Sequence, residues 1–200
     1  LASSAASDVY KRQRIGSLIE SPGFYPNLTA TENLRIFATL RGVPNNHAIK
    51  DALDLVGLPY KDKKLFSQYS LGMKQRLAIA LAVMHDPELL ILDEPTAGQD
   101  YKRYKEFMNF IKEIANKGVG IILITHDMHL ALEYANRAIV LCNGTIIANN
   151  SPSIILGEKE LMEKSNLKET SLSQMAEIMG LDPEMLMNSF INFENQGGMR

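Results

Sequence analysis

Two short, uninterrupted apolar runs constrain the fold of this chain more than any other feature. They are ELLILDE at residues 88–94 and VGIILIT at residues 119–125. Short continuous apolar runs of this kind are typical of strands buried on both faces of a parallel sheet. Between them lies YKRYKEFMNFIKEIANKG, whose apolar residues recur at helical spacing. This strand–helix–strand order predicts a mainly parallel sheet covered by helices.

Further helices and one hairpin are predicted around these strands. TENLRIFATLRG should form a helix capped by Thr31, and NNHAIKDALDLVG a helix ended by Gly57. LGMKQRLAIALAVMHD is expected to be helical up to Pro87, and DMHLALEYANR is expected to be helical as well. AIVLCNGTIIANN predicts an antiparallel hairpin, because its Asn143-Gly144 pair suits a type I′ turn. The expected fold class is therefore α/β.

Composition and periodicity divide the chain into three segments. Residues 1–13, LASSAASDVYKRQ, show no helical or strand period and no starting methionine, so we expect a non-native or disordered leader there. Residues 14–150 carry the α/β pattern. Residues 151–200 are expected to form a small helical appendage, and they hold six of the ten methionines. Such methionines either form an adaptable binding surface or, more often, pack a core.

Composition and charge exclude several classes of protein. The net charge of −2 and the pI near 6.1 give no bulk electrostatic reason to expect a nucleic-acid partner. A single cysteine, Cys142, leaves no internal disulfide framework and fits a reducing, cytoplasmic compartment. No apolar run approaches the roughly 18 residues of a membrane-spanning helix, so we expect membrane contact only through a partner.

A helix start that could bind phosphate is predicted in YSLGMKQR. Ser70 stands at the N-cap position before an apolar helical run, and Gly72 follows two residues later. A helix start is electropositive and offers unpaired N–H groups, which makes it an anion site. An ordinary capped helix is the alternative interpretation of this stretch.

Two successive carboxylates end the first apolar run, in LLILDEPTAGQD. In a nucleotide hydrolase, one carboxylate at this point can hold Mg²⁺ on the phosphates while a second polarises the attacking water. Asp93 and Glu94 suit these roles, because successive side chains of a strand point in different directions. Solvated acids before a proline turn are the alternative. His126, in ITHD, is expected at the same edge of the sheet, where ligands of open α/β sheets bind.

Taken in order, these segments resemble the nucleotide-binding subunit of ATP-binding cassette (ABC) transporters, over roughly residues 15–150. YSLGMKQR is similar to the family signature, which is usually LSGGQ followed by Gln-Arg. Ser70 and Gly72 match that signature, whereas Leu71 replaces a glycine and Met73 replaces the glutamine. LLILDEP looks like the Walker B strand. The resemblance therefore assigns metal coordination to Asp93 and the role of catalytic base to Glu94.

Three more positions follow from the same resemblance. AGQD is similar to the D-loop, with Asp100 matching and Gln99 in place of the usual leucine. His126 matches the switch histidine that contacts the γ-phosphate. IGSLIESPGFYPNLTATENL looks like the Q-loop region, with Glu20 at or near the position of the expected glutamine.

The resemblance implies a P-loop ATPase fold with a helical signature subdomain, using ATP and Mg²⁺. The implied partners are transmembrane permease subunits at the inner face of the cell membrane and a second ABC ATPase subunit, in a homo- or heterodimer. In such a head-to-tail dimer, Ser70 and Gly72 would contact ATP held by the opposite subunit.

The motif that cradles the β- and γ-phosphates, Gly-Lys followed by Ser or Thr, does not occur in the 200 residues. We therefore expect an N-terminally truncated, partial ABC ATPase domain at residues 14–150, inactive by itself. The alternative is a catalytically silent ABC-type interaction or regulatory module. A soluble ABC protein of DNA repair or translation would need coiled-coil insertions, or a duplicated cassette with a basic linker, and the sequence has neither.

The two halves of the chain resemble different branches of the family. Up to Thr96, the segments are similar to ATPases of peptide-antibiotic or bacteriocin exporters. From TAGQDY onward, they are similar to ATPases of energy-coupling-factor importers for vitamins or metal ions. A join within LDEPT would produce such a mosaic, so the cargo and the direction of transport stay open.

Overall fold

The computed structural model describes residues 14–18, 23–42 and 46–195. The chain folds into two compact units, Leu1–Ile124 and Thr125–Arg200, and each is described by itself. The predicted leader at residues 1–13 and the predicted Q-loop residue Glu20 lie outside the described residues. Within the described residues, no helix combines the length and the apolar character needed to cross a membrane.

The first unit contains the predicted parallel sheet. Its strands are β1 (Ile15–Leu18), β2 (Leu89–Asp93) and β3 (Gly120–Ile124), in the order β1-β2-β3. Both pairings are parallel. The α-helices of its described residues are α1 (Ala30–Leu40), α2 (Asn46–Leu55), α3 (Leu71–Val83) and α4 (Tyr101–Asn116). The strand–helix order read from the two apolar runs is thus confirmed.

The two faces of this sheet differ in burial. Leu90 and Leu92 of β2 are fully buried on one face, where α3 packs against β1. On the other face, Ile122 and Ile124 of β3 are 45% and 51% exposed. The prediction that β3 is buried on both faces is therefore wrong. An apolar run indicates a strand, but the helices that cover it come from elsewhere in the chain, and β3 lies at the edge of the described sheet.

Helix α1 begins two residues earlier than its sequence suggested. Thr29 is the N-cap: its hydroxyl accepts the N–H of Glu32 at 3.3 Å, while the Glu32 carboxylate accepts the N–H of Thr29 at 2.8 Å. This reciprocal capping box satisfies two helix-start donors. The Thr31 hydroxyl instead donates to the carbonyl of Tyr60. The prediction of Thr31 as the cap is wrong, because the capping box lies two residues upstream.

The core of the first unit is built on α3 and α4. Every residue of α3 from Leu77 to Val83 is buried, so this helix is apolar on all sides beyond its first turns. Helix α4 is amphipathic and buries one face, as predicted. Its buried residues are Phe107, Met108, Phe110, Ile111 and Ile114. The predicted helix end at Gly57 is also confirmed, since this glycine follows α2 with a left-handed φ of 67°.

The second unit combines a hairpin with short helices. Strands β4 (Ala138–Cys142) and β5 (Thr145–Asn150) are antiparallel. Asn143 and Gly144 between them have φ of 49° and 75°, as a type I′ turn requires, so the predicted hairpin is confirmed. The helices are α5 (Met128–Tyr134), α6 (Pro152–Gly157), α7 (Lys159–Lys164), α8 (Ser171–Met179) and α9 (Pro183–Asn195).

This second unit starts earlier than the change of sequence texture at Ser151. Helix α6 packs against both α5 and β5, and α9 packs against α5 and α6. Their shared core consists of Leu132, Leu156, Met162 and Met187. The hairpin and α5 therefore form one compact unit with the helices predicted as an appendage.

The methionines of this unit serve two different environments. Met162 and Met187 are fully buried in its core, whereas Met175, Met179 and Met185 are exposed. Core packing is thus confirmed for Met162 and Met187, while an adaptable binding surface stays a prediction for the exposed methionines.

Candidate functional site

The predicted anion site lies at the start of α3. Ser70 is the N-cap, with extended backbone at φ −65° and ψ 163°, and its Oγ accepts the N–H of Met73 at 3.3 Å. The cap thus satisfies one of the first-turn donors. The N–H groups of Leu71 and Gly72 precede the first intrahelical hydrogen bond and have no intrahelical acceptor. Ser70 itself is exposed, so this helix start is open to an anion.

Neither the backbone conformation nor the packing requires a glycine at position 72. Its φ lies outside the left-handed region, and a Cβ built on it would meet no atom within 4 Å. Gly16 of β1 is different, because a Cβ there would overlap the carbonyl oxygen of Ala82 in α3. Because glycine has no side chain, position 72 leaves the backbone N–H groups at the helix start accessible to a ligand.

Two lysines lie beside this helix start. Lys64 Nζ is 5.9 Å from the centroid of the Tyr69 ring and 3.8 Å from Met73 Sδ. Lys74 Nζ is 5.3 Å from the centroid of the Phe66 ring. Cation–π contacts of this kind hold ammonium groups in place on aromatic faces. The positive end of the helix dipole and two positioned cations thus act in the same direction on an anion.

The predicted carboxylate pair ends β2. Asp93 is the last residue of the strand and pairs with Ile124 of β3. The N–H of Glu94 donates to the Ile124 carbonyl at 2.8 Å, which extends the pairing by one residue. Glu94 then has a φ of 42°, a left-handed conformation that is uncommon for a residue other than glycine. Strained backbone of this type is concentrated at functional sites, where the surrounding structure holds it.

The turn after this pair is hydrogen-bonded to α3. Gln75 of α3 donates through Nε2 to the carbonyl of Pro95 at 3.4 Å, and Gln99 donates through Nε2 to the same oxygen at 3.0 Å. The structure therefore brings the helix that starts at Ser70 into contact with the residues that follow Glu94. Sequence reasoning noted Gln75 only as part of the family signature and Gln99 only as a departure. A contact between distant segments leaves no local pattern.

Asp100 caps the next helix. Its carboxylate accepts the N–H of Arg103 at 3.0 Å and lies 3.3 Å from the Nε of that arginine. The residue predicted for the D-loop is thus bound to the first turn of α4. Arg76, which follows Gln75, donates to the Val56 carbonyl at 3.0 Å and lies 5.4 Å from the Phe110 ring centroid.

His126 belongs to the second unit. It is exposed and lines a cavity of about 540 Å³, together with residues from the start of α5 and from the segment that leads into α8. These include Asp127, His129, Lys168, Thr170 and Gln174. The Asp127 carboxylate caps α5 by accepting the N–H groups of His129 and Leu130 at 2.9 and 3.1 Å. His126 thus directly precedes the capped helix α5, and its location at the same sheet edge as Asp93 and Glu94 stays a prediction.

The described residues offer few side-chain ligands for a metal ion. Among the described residues, no three His, Cys, Asp or Glu side chains are grouped as a protein-only metal site would require. Mg²⁺ is commonly bound by one or two carboxylates together with the phosphates of the substrate. Asp93, at the strand end, fits that mode as a single carboxylate.

Comparison with known proteins identifies the family. The family model described as ABC transporter matches residues 3–97, and relatives named as ABC transporter ATP-binding proteins match up to 94% of the chain. The chain belongs to the ABC transporter family. The resemblance read from the ordered motifs is thereby confirmed.

Two of these ABC transporter relatives show how far the similarity extends. A protein named as an ABC transporter ATP-binding protein in Bacillus thuringiensis is 48% identical over 145 residues, which are 72% of this chain and 25% of the relative. One in Enterococcus faecalis is 38% identical over 192 residues, 93% of this chain and 34% of the relative. The chain spans about a quarter to a third of the length of these relatives.

A solved ABC structure supports the fold. The structure of cbiO1 from Clostridium perfringens, described as part of the ABC transporter complex cbiONQ, superposes with a TM-score of 0.66 at 28% identity. The alignment covers 85% of this chain and 68% of that one. The predicted ABC ATPase fold class is thus confirmed. A mosaic origin of the two halves stays a prediction.

Proposed function

We propose that the chain is part of an ATP-binding subunit that hydrolyses ATP and couples the reaction to transport through membrane permease subunits. One observation carries this proposal. Helix α3 offers an open anion site at its start, and the same helix is hydrogen-bonded through Gln75 to the turn that follows Asp93 and Glu94. A phosphate-binding helix start and a pair of carboxylates at a strand end are the parts that phosphoryl transfer to water needs.

The residues at the helix start act on a nucleotide held by another subunit. Ser70 and the N–H of Gly72 bind phosphate oxygens of ATP that a second ABC ATPase subunit presents. Lys64 and Lys74 add positive charge beside them. Whether this second subunit is another copy or a different protein does not alter the role of the helix start.

The residues at the strand end act on metal and water. Asp93 would hold Mg²⁺, which would neutralise negative charge on the phosphate oxygens. Glu94 orients the attacking water and accepts its proton, while the water oxygen bonds to the γ-phosphorus and the bond from that phosphorus to the ADP oxygen breaks. His126 contacts the γ-phosphate, and Asp100 positions the loop between β2 and α4. By the resemblance of its sequence segment to the Q-loop, Glu20 is assigned to the nucleotide-binding set.

The proposed location is the inner face of the cell membrane, reached through the permease. The solved relative supports this location, because cbiO1 is described as part of a transporter complex. The silent interaction module is not favoured, since the relatives are named as ATP-binding proteins. The 200 residues contain no Gly-Lys-Ser/Thr motif, so we expect this polypeptide alone to bind ATP weakly and not to hydrolyse it.

The test is the replacement Glu94→Gln in a longer protein that carries this segment together with a Gly-Lys-Ser/Thr motif. Nucleotide binding should persist, while steady-state hydrolysis should fall by about 10²-fold or more, as expected for loss of a general base. Glu113→Gln, on the exposed side of α4, is the matched control and should keep full turnover. Hydrolysis at the wild-type rate in the Glu94 variant would contradict the proposed role.

A further inference from the structure

An apolar surface lies on the helical hairpin α8–α9 of the second unit. It consists of Met175, Ile178, Met179, Leu181 and Met185, which are 51%, 86%, 60%, 44% and 68% exposed. The first three lie on one face of α8, at spacings of three and four residues. Gly180, with a left-handed φ of 66°, ends α8 and reverses the chain into α9. We refer to these five residues as the α8–α9 surface.

The residues of the α8–α9 surface are separate from those that pack the core of the second unit. Helices α8 and α9 pack on each other, and α9 packs on α6, through other residues, among which Ala176 and Met187 are fully buried. Concentrated apolar exposure on an already packed hairpin is typical of an interaction site. Three of the five residues are methionines, whose flexible thioethers adapt to differently shaped partners.

The stretch of sequence that forms this surface is acidic. From residue 169 to residue 199, the sequence contains five acids and no lysine, arginine or histidine. Glu177 of α8 is 3.0 Å from Lys159, which comes from α7. Asp182 accepts the N–H of Glu184 at 2.9 Å, so its carboxylate is fixed at the start of α9, beside Leu181. Carboxylates thus border the apolar residues, and one of them, that of Glu177, is paired with Lys159.

We propose that the α8–α9 surface docks a basic amphipathic helix of a partner protein. Such a helix would place its apolar side on the methionines and its lysines or arginines against the bordering carboxylates, as in helix-in-groove recognition. Charge complementarity favours a basic helix over the other possible partners of this surface. A second copy of the same surface would bring acids against acids, and an anionic lipid surface would be repelled. This inference goes beyond the proposed ATPase function and does not depend on it.

The experiment uses the 200-residue chain and a labelled probe peptide of about 18 residues, built only from leucine and lysine in a helical pattern. A second peptide replaces every lysine with glutamate. Fluorescence anisotropy at about 0.15 M salt should show saturable binding of the lysine peptide and none of the glutamate peptide. Equal binding of both peptides, or of neither, would overturn the proposal.

A matched pair of variants locates the binding site. Ile178→Ser with Met179→Ser should weaken binding of the lysine peptide by about tenfold or more. Ile139→Ser with Leu141→Ser removes two exposed apolar side chains from β4 and should leave binding unchanged. An equal loss in both variants would indicate general stickiness and overturn the proposal.

Two further measurements cover other occupants and a failure to fold. Sedimentation of the wild-type chain should show a monomer, and vesicles rich in anionic lipid should not bind it. A dimer that the Ile178→Ser/Met179→Ser replacement abolishes would assign the surface to a second copy of the chain. Vesicle binding that the same replacement abolishes would assign it to a membrane. Oxidation footprinting of the wild-type chain needs no variant: the lysine peptide should protect Met175, Met179 and Met185, and unprotected methionines would refute the docking site.

Discussion

The side-chain amides of Gln75 and Gln99 donate to one acceptor, the carbonyl oxygen of Pro95, at 3.4 and 3.0 Å. Gln75 is in the second turn of α3, and Gln99 immediately precedes the cap of α4. One backbone oxygen therefore connects the helix that starts at the anion site with the turn that carries Glu94. A displacement of α3 would be transmitted to that turn through the hydrogen bond of Gln75, while that of Gln99 closes the turn on itself.

The first prediction follows from this shared acceptor. Gln75→Ala removes one donor and should lower the free energy of unfolding by about 0.5–1.5 kcal/mol, the usual range for one hydrogen bond. Hydrogen exchange should locate the effect, with faster exchange of the Ala97 and Gln99 amides, which close the turn. Gln174→Ala, at an exposed position of α8, is the control. Unchanged exchange in the turn would show that Gln75 does not hold it.

A second prediction contrasts two glycines. Gly72→Ala should leave stability unchanged or raise it by up to about 1 kcal/mol, because the position is helical and open. Gly16→Ala should cost about 1–3 kcal/mol, since its Cβ would overlap the Ala82 carbonyl. Urea unfolding of both variants measures the difference. Alanine keeps the backbone N–H, so this variant tests access to it: full ATP hydrolysis by Gly72→Ala in a longer ABC protein that carries this segment would show that a glycine is not required there.

The third prediction concerns pH and the start of α1. Hydrogen bonds from the Thr29 backbone and hydroxyl lower the pKa of Glu32 below its ordinary value. A carboxyl whose pKa is lower in the folded state stabilises that state above its unfolded pKa, and the effect is lost as pH falls through the folded value. The Thr29 amide should therefore exchange faster, relative to its intrinsic rate, at acidic pH than near neutrality. Glu32→Gln should remove this pH dependence; a dependence that persists in the variant must come from another group.

The fourth prediction concerns nucleotide binding by the 200-residue chain. Calorimetric titration with Mg-ATP should show very weak binding and no turnover, because the chain contains no Gly-Lys-Ser/Thr motif for the phosphates. Tight, magnesium-dependent binding would show that the other residues suffice to hold the nucleotide. Adding an ABC ATPase with a complete phosphate loop provides the positive control for the assay.

Local signals in the sequence were sufficient to predict helices, strands and turns, but not which of their side chains are buried. The cap at Ser70, the strand β2 and the type I′ turn at Asn143 all depend on neighbouring residues, so the sequence predicted them correctly. The capping box of α1 was readable too, because Glu32 follows Thr29 by three residues, but the second threonine obscured it. The exposure of β3 was not readable, since burial depends on which helices cover the sheet.

The candidate site shows the same division. Asp93 and Glu94 were placed at a strand end from the apolar run alone, and the structure has them there. The left-handed backbone of Glu94 and the shared acceptor at Pro95 were not predicted. The hydrogen bond from Gln75 joins segments 20 residues apart, and periodicity and composition do not encode such contacts.

The glycine contact between β1 and α3 has a consequence for how this sequence can change. At Gly16 the strand meets the helix through main-chain atoms, so their separation is set by backbone dimensions and not by side-chain size. This contact fixes the distance between β1 and the C-terminal end of α3, at Ala82, twelve residues from the helix start at Ser70. Substitutions in the first turn, such as the leucine and methionine at positions 71 and 73, can therefore change the chemistry beside Ser70 without disturbing the contact that holds the other end of the helix against the sheet.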